Sequence, residues 1–173
     1  MEADMSGFHS ESPDSFNYSP FKMIGKDWML VTAEKEGKVN TMTASWGGLG
    51  VMWGRNVAFI VVRPSRFTKE FMDASDSFSL TFFDREKYSK MLGYMGSVSG
   101  RNEDKIKVSG LTVEHYEGTP YFAEASNVIL CRKIFRQPID PNNFIADDID
   151  SKWYPEQDYH DLYIGEITEI LSK

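Results

Sequence analysis

Between Trp28 and Val62 three strand-like segments follow one another with no helical stretch between them. Trp28 to Ala33 is apolar, and the charged, glycine-containing EKEGK turn (Glu34 to Lys38) leads into Val39 to Trp46, which predicts a hairpin. Gly47 to Asn56 is glycine-rich and reads as a bend or loop. Val57 to Val62 (VAFIVV) is continuously apolar and largely β-branched, the pattern of a strand covered on both faces. A doubly wound parallel sheet alternates strands with helices, so this order argues against one. There is no GxGxxG either. Gly47-Gly48-Leu49-Gly50 has the wrong spacing and no helix behind it, which argues against a Rossmann nucleotide site.

Downstream, Pro64 stops the apolar run and Arg66 to Ala74 reads as a short helix. Phe78, Leu80 and Phe82 alternate with polar residues, which predicts another strand. Asp84 is a ready N-cap for a helix running to Met95. Gly96 to Lys107 reads as a loop with a short helical turn. Asn127 to Phe135 and Asp161 to Ile170 are the last two predicted strands. Between them, Gln137 to Tyr159 is a Pro/Asp/Asn-rich excursion, and a loop that long inside a compact domain is usually functional or partner-bound. Residues 1–20 are polar, acidic and Ser/Pro-rich, and read as a loosely ordered arm ahead of one domain over 21–173. At least six strands against two clear helices predict a mainly β fold, an antiparallel, closed or nearly closed barrel with short peripheral helices.

The 173 residues suffice for one buried core, and the 14% aromatic content supplies much of its area. A net charge of −7 argues against nucleic acid and against an anionic membrane surface. The longest apolar run is far short of a membrane span, and the N-terminal stretch has no signal-peptide h-region, so the expected location is cytoplasmic. One cysteine, Cys131, allows no internal disulfide and reads as a buried small hydrophobe. His9, His115 and His160 are too scattered for HxH or HExxH spacing, so no metal site is expected.

Two segments could carry chemistry. In Asn40 to Trp46, alternation places Thr41, Thr43 and Ser45 on one face, and Met42, Ala44 and Trp46 on the other with Asn40. A row of hydroxyls suits either a solvent-facing strand or a wall for a flat ligand rich in heteroatoms. The second segment is Arg63-Pro64-Ser65-Arg66-Phe67-Thr68-Lys69, between the apolar strand and a helix start. Cations and hydroxyls there suit a capped helix with a solvated face, or a phosphate site at a helix N-terminus. Taken together, the two describe the ring end and the phosphate end of a mononucleotide site.

These residues resemble a known family. NTMTASW, a Gly-rich bend, an apolar strand, RPSRFT and SFSLTFF, in that order, are similar to the flavin reductase-like FMN-binding proteins, as are SGRNEDKI (Ser99 to Ile106) and HDLYIGEI (His160 to Ile167). The resemblance implies a split β-barrel, normally a homodimer with each flavin near the subunit interface, that uses NAD(P)H to reduce flavin. FMN is the implied cofactor, with FAD as the less favoured choice. By position, Thr43, Ala44, Ser45 and Trp46 would contact the isoalloxazine and ribityl chain, and Arg63, Ser65, Arg66 and Thr68 would hold the ribityl and phosphate groups. Lys105 would complete the phosphate site or close over it, or instead pair with Asp104. His160 would touch the nicotinamide or flavin edge, or be a structural histidine. The stretch from Pro138 to Tyr159 fits no pattern of the family, which leaves substrate recognition open. The electron acceptor is open as well, and a non-enzymatic FMN electron carrier with the same site is the alternative to a reductase.

Overall fold

A computed structural model of the chain describes residues 7–173. Its elements in order are β1 (His9–Ser10), α1 (Pro20–Lys22) with a π-helical turn over Met23–Asp27, β2 (Met29–Lys35), β3 (Lys38–Ala44), β4 (Gly47–Met52), β5 (Arg55–Val62), α2 (Thr68–Ala74) and β6 (Ser77–Phe82). There follow α3 (Arg85–Ser97), α4 (Lys105–Ser109), β7 (Val113–Tyr116), β8 (Thr119–Phe122), β9 (Asn127–Pro138), a 3-10 turn at Pro141–Asn143, α5 (Asp148–Trp153) and β10 (Asp161–Ser172). Among these, no helix is long and apolar enough to cross a membrane.

The main sheet is antiparallel throughout and runs β3-β2-β6-β9-β10-β5-β4, with β1 added on β10. Its two ends, β3 and β4, are consecutive in the chain and joined only by Ser45 and Trp46. Two residues cannot span an open seven-strand sheet when strands lie about 4.8 Å apart, so the sheet curls until its edges meet. The expected antiparallel barrel is therefore present. Its split runs beside Ser45 and Trp46.

The Gly47–Asn56 stretch is not a loop. Gly47 to Met52 pairs with β5 from Ile60 back to Arg55. A Cβ on Gly47 would lie 2.4 Å from the Phe59 carbonyl oxygen, and one on Gly48 2.5 Å from the Phe59 ring, so the glycines serve close strand packing. Trp53 and Gly54 both have positive φ, which closes a two-residue hairpin turn of the primed kind. Glu36-Gly37 does the same between β2 and β3, and Glu117-Gly118 between β7 and β8, a hairpin the sequence reading missed. That hairpin covers the polar face of β6, where Ser79 Oγ donates to Pro120 O at 2.6 Å.

Two apolar clusters result. One fills the barrel and includes Val31, Met42, Ile60, Phe78, Leu80, Ile129, Cys131 and Tyr163. The other lies between sheet, α3 and the β7–β8 hairpin, around Leu30, Leu92, Met95, Tyr121 and Phe122. Cys131 is buried as expected, which pushes its thiol far up. VAFIVV is covered on both faces only in part, since Phe59 is 41% exposed beside the short glycines of β4. Within the expected arm, residues 8–11 are held to the body. Phe8 packs edge-on against Tyr121, β1 pairs with Leu171 and Ser172, and the Glu11 amide donates to Ile170 O. The reason is a buried aromatic and a free edge of β10. Residues 1–6 lie outside the described residues.

Candidate functional site

At the split, the end of β3, the Ser45–Trp46 link, the end of β5 and the 137–159 excursion enclose a cavity of about 280 Å³. A second cavity of about 360 Å³ adjoins it, and the two share Met42, Arg63 and Arg66 in their walls. The pair forms an elongated trough with an aromatic end and a cationic end. Thr43, Ala44, Ser45, Trp46 and His160 line the first cavity, and Ser65, Thr68 and Lys105 the second. All ten residues singled out in the sequence therefore border one continuous space.

The hydroxyl row is not the polar wall that alternation suggested. Thr41 is fully buried, donating to Val31 O at 3.0 Å and lying 2.8 Å from Thr32 Oγ1. Thr43 Oγ1 donates to Leu92 O at 2.6 Å, which ties β3 to α3. These hydroxyls act within the fold because α3 and the neighbouring strand cover that face. The polar groups left for a ligand are the Ser45 hydroxyl and the backbone of Ser45 and Trp46, which lie outside both strand ladders.

At the cationic end the helix starts later than expected, at Thr68, and no side chain caps it; Ser65 sits in the preceding turn. With only seven residues in α2, charge comes from side chains rather than from the helix. Arg66 Nη1 donates to Gly96 O at 2.6 Å, and burial, then the neighbouring Arg63, lowers its pKa. Lys105 is 3% exposed, and its Nζ donates to Met95 O at 2.9 Å and Val98 O at 3.0 Å. Burial, then Arg66, pushes it down to about 8. Lys105 thus caps the C-terminal carbonyls of α3, the preferred place for a cation on a helix. It does not pair with Asp104, which instead caps α4 by accepting from the Lys107 amide. In an acidic chain neither Arg66 nor Lys105 has a carboxylate within ion-pair distance among the described residues. A buried lysine and a half-buried arginine, 39 positions apart in sequence, are brought to one cavity with no carboxylate beside them, which is a donor set suited to a phosphate.

The loop after α3 closes on this end. A Cβ on Gly100 would fall 2.3 Å from Asn40 Oδ1 and 3.1 Å from the Phe67 ring. Asn40 is itself fixed, its Nδ2 donating to Thr68 Oγ1 at 2.9 Å. That bond leaves the Thr68 hydroxyl hydrogen for another acceptor. Arg101 lies 4.7 Å over the Phe67 ring, pairs with Glu70 at 2.6 Å and donates to Ser65 O.

The aromatic end carries residues that the sequence reading missed. The excursion is not structureless; it holds α5 and a cluster of Phe144, Tyr154 and Tyr159. Trp153 packs edge-on to Trp46 with centroids 4.9 Å apart, and Trp46 lies 5.2 Å from His160. Arg63 is a fastener as well as a wall. Its guanidinium pairs with Asp158 at 2.7 Å, donates to Trp153 O at 2.9 Å and lies over the Tyr154 ring. His160 is buried, with Nδ1 2.8 Å from the Tyr154 hydroxyl. Burial, then Arg63, pushes its pKa down to about 4, so the ring is neutral at ordinary pH. Asn40, Met42 and Gly100 were also missed. No local pattern marks them, although the aromatic density of the excursion was a signal for Trp153 and Tyr154.

Comparison with known proteins agrees with this fold. A family model described as "Flavin reductase like domain" matches residues 22–172. The fold is similar to that of an FMN-binding domain of a flavin reductases-like enzyme from Shewanella baltica OS155, with TM-score 0.68 and 18% identity over 95% of this chain and 76% of that one. It is also similar to flavoredoxin from Methanosarcina acetivorans, with TM-score 0.66 and 23% identity over 85% and 68% of the two chains. A split barrel domain protein from Shewanella frigidimarina NCIMB 400 aligns with TM-score 0.67 and 13% identity over 89% and 72%. Among curated proteins, none matches the sequence at a significant level.

Proposed function

The chain belongs to the flavin reductase-like family, and we propose from that premise that it is an FMN-dependent oxidoreductase using NAD(P)H. The observation that carries the reading is the trough itself, with Arg66 and Lys105 uncompensated at one end and Trp46, Trp153 and His160 at the other. Arg66, Lys105, Ser65 and Thr68 would hold the phosphate. Arg63 and the rim of Met42 lie where the ribityl chain would pass between the two cavities. The segment from Thr43 to Trp46 would face the ring system. Bound FMN would supply the redox chemistry, accepting hydride from the reduced nicotinamide.

The protein's own part is binding, orientation and electrostatics. The Ser45 hydroxyl and the amides of Ser45 and Trp46 are donors suited to favour negative charge on a reduced ring. Met42 and Val61 give the trough an apolar floor, where such donors act more strongly than in water. The excursion, fastened by Arg63, limits water at the ring end. No side-chain acid or base is needed for hydride transfer itself.

A second copy of this chain is part of the proposal. The β4–β5 hairpin exposes Phe59 at the end near Trp46 and Val51, Met52 and Trp53 toward its turn, and apolar side chains exposed along such a hairpin suit a subunit interface. A non-enzymatic electron carrier is the second reading, supported by the likeness to the Methanosarcina flavoredoxin. Both readings predict flavin absorption bands after FMN is added and free flavin removed; a protein that retains none overturns both. Anaerobic NADH or NADPH should then bleach the bands on a catalytic timescale. Bleaching only by a reduced protein partner would favour the carrier.

A further inference from the structure

Tyr154 comes from the excursion, yet it is buried at 5% exposure against the histidine of the ring cavity. Phe144 stacks on it at 5.9 Å and 18°, Tyr159 lies 4.9 Å away, and Arg63 covers its face at 5.1 Å. A phenol held on these sides cannot swing its hydroxyl away from His160 Nδ1, 2.8 Å distant. Burial, ahead of the opposing effect of Arg63, raises the Tyr154 pKa, so the phenol keeps its proton. Nδ1 is the only hydrogen-bond partner of this hydroxyl among the described residues, so the buried phenol hydrogen is satisfied only by pointing at it.

The imidazole has one hydrogen to place. Burial, then Arg63 from the end of β5, opposes a positive ring; Asp158 from the excursion favours it, and Arg66 from the turn before α2 opposes it more weakly than either, so the ring stays neutral. With Nδ1 accepting, the hydrogen resides on Nε2. Nε2 has no hydrogen-bond partner among the described residues, while His160 lines the ring cavity beside Trp46.

We propose that Tyr154 is a positioning residue that fixes His160 as an Nε2–H donor to the ring cavity, where it holds the carbonyl or carboxamide oxygen of a flat second substrate packed near Trp46 and Trp153. The identity of that substrate rests on the flavin reading above; the tautomer does not. A nicotinamide carboxamide has the required oxygen on a flat ring. The same donor serves any planar carbonyl compound of similar size.

The test is imidazole ¹H–¹⁵N correlation spectroscopy on the protein with no flavin added. The expected spectrum shows His160 as the neutral Nε2–H tautomer throughout pH 5–8, and a mixture of tautomers in Tyr154→Phe. In the FMN-loaded protein, Tyr154→Phe should lower kcat with NADH roughly tenfold, the equivalent of one lost hydrogen bond, with FMN affinity unchanged within about twofold. His160→Gln, which keeps a donor near the Nε2 position, should retain more turnover than His160→Phe. A wild-type Nδ1–H tautomer, which needs no variant to observe, would overturn the proposal. So would a Tyr154→Phe protein with unaltered tautomer and turnover. If NADH is not oxidised at all but the tautomer behaves as described, the positioning role stands and the pyridine-nucleotide reading falls.

Discussion

Arg63 Nη1 lies 2.7 Å from Asp158 Oδ1, an ion pair that fastens the end of β5 to the excursion over the ring cavity. Both groups are about a quarter to a third exposed, so the pair contributes modestly to global stability, about 0–1 kcal/mol. Its effect should be local. Asp158→Asn should speed amide exchange over residues 148–158 and leave the β-sheet amides unchanged, because Arg63 then keeps only its bond to Trp153 O and its contact with the Tyr154 ring. Unaltered exchange in that stretch would mean that the aromatic cluster alone holds the excursion down.

Lys105 gives the cationic end a pH dependence. Its pKa is lowered to about 8 in the folded protein by burial and then by Arg66. The unfolded chain therefore holds the extra proton from about pH 8 up to the ordinary lysine value, and folding stability gains from this group as pH rises through that window. Ligand binding has the opposite sign, since a phosphate favours the protonated amine. FMN affinity should fall by up to about tenfold between pH 7.5 and 9, where the phosphate stays a dianion. Riboflavin affinity over the same range should stay flat. Parallel fluorescence titrations check this, and equal pH dependence for both flavins would remove Lys105 from the phosphate site.

Gly100 tests how closely the loop after α3 approaches. A methyl group there meets Asn40 Oδ1 at 2.3 Å, and Asn40 is pinned to Thr68. Gly100→Ala should cost about 1–3 kcal/mol of stability, the usual range for overpacking, and weaken FMN several-fold by pushing the loop or Thr68 outward. Denaturant unfolding and FMN titration measure the two effects. A variant unchanged in both would show that the loop yields freely.

How far the sequence could be read depends on whether the signal was local. The barrel followed from consecutive strands without helices, and Asp84 capped α3 as expected, accepting from the amides of Glu86 and Lys87. The β4 strand was misread because its glycines carry a loop signal. Their reason, the close approach of Phe59, is a tertiary contact. The Trp53-Gly54 and Glu117-Gly118 turns were readable in principle, as X-Gly pairs between short strands. The candidate site was found by two segments, NTMTASW and RPSRFT, yet the roles within them shifted. Alternation gives the face of Thr41 and Thr43 but not what covers it, and here another strand and α3 do. Arg63 reads as a phosphate ligand until Asp158 is seen beside it. Tyr154 and Trp153 were signalled only by the aromatic density of the excursion, and it takes folding to bring that segment back to the split.

The central claim is that one trough holds a flavin ring at Trp46 and its phosphate at Arg66. The most direct measurement is fluorescence titration of wild-type protein and Arg66→Ala with FMN and with riboflavin. Removing a charge-assisted phosphate contact is expected to weaken FMN about 10- to 100-fold and to leave riboflavin within about threefold. Equal losses for both flavins, or a wild-type protein that binds neither, would contradict the account.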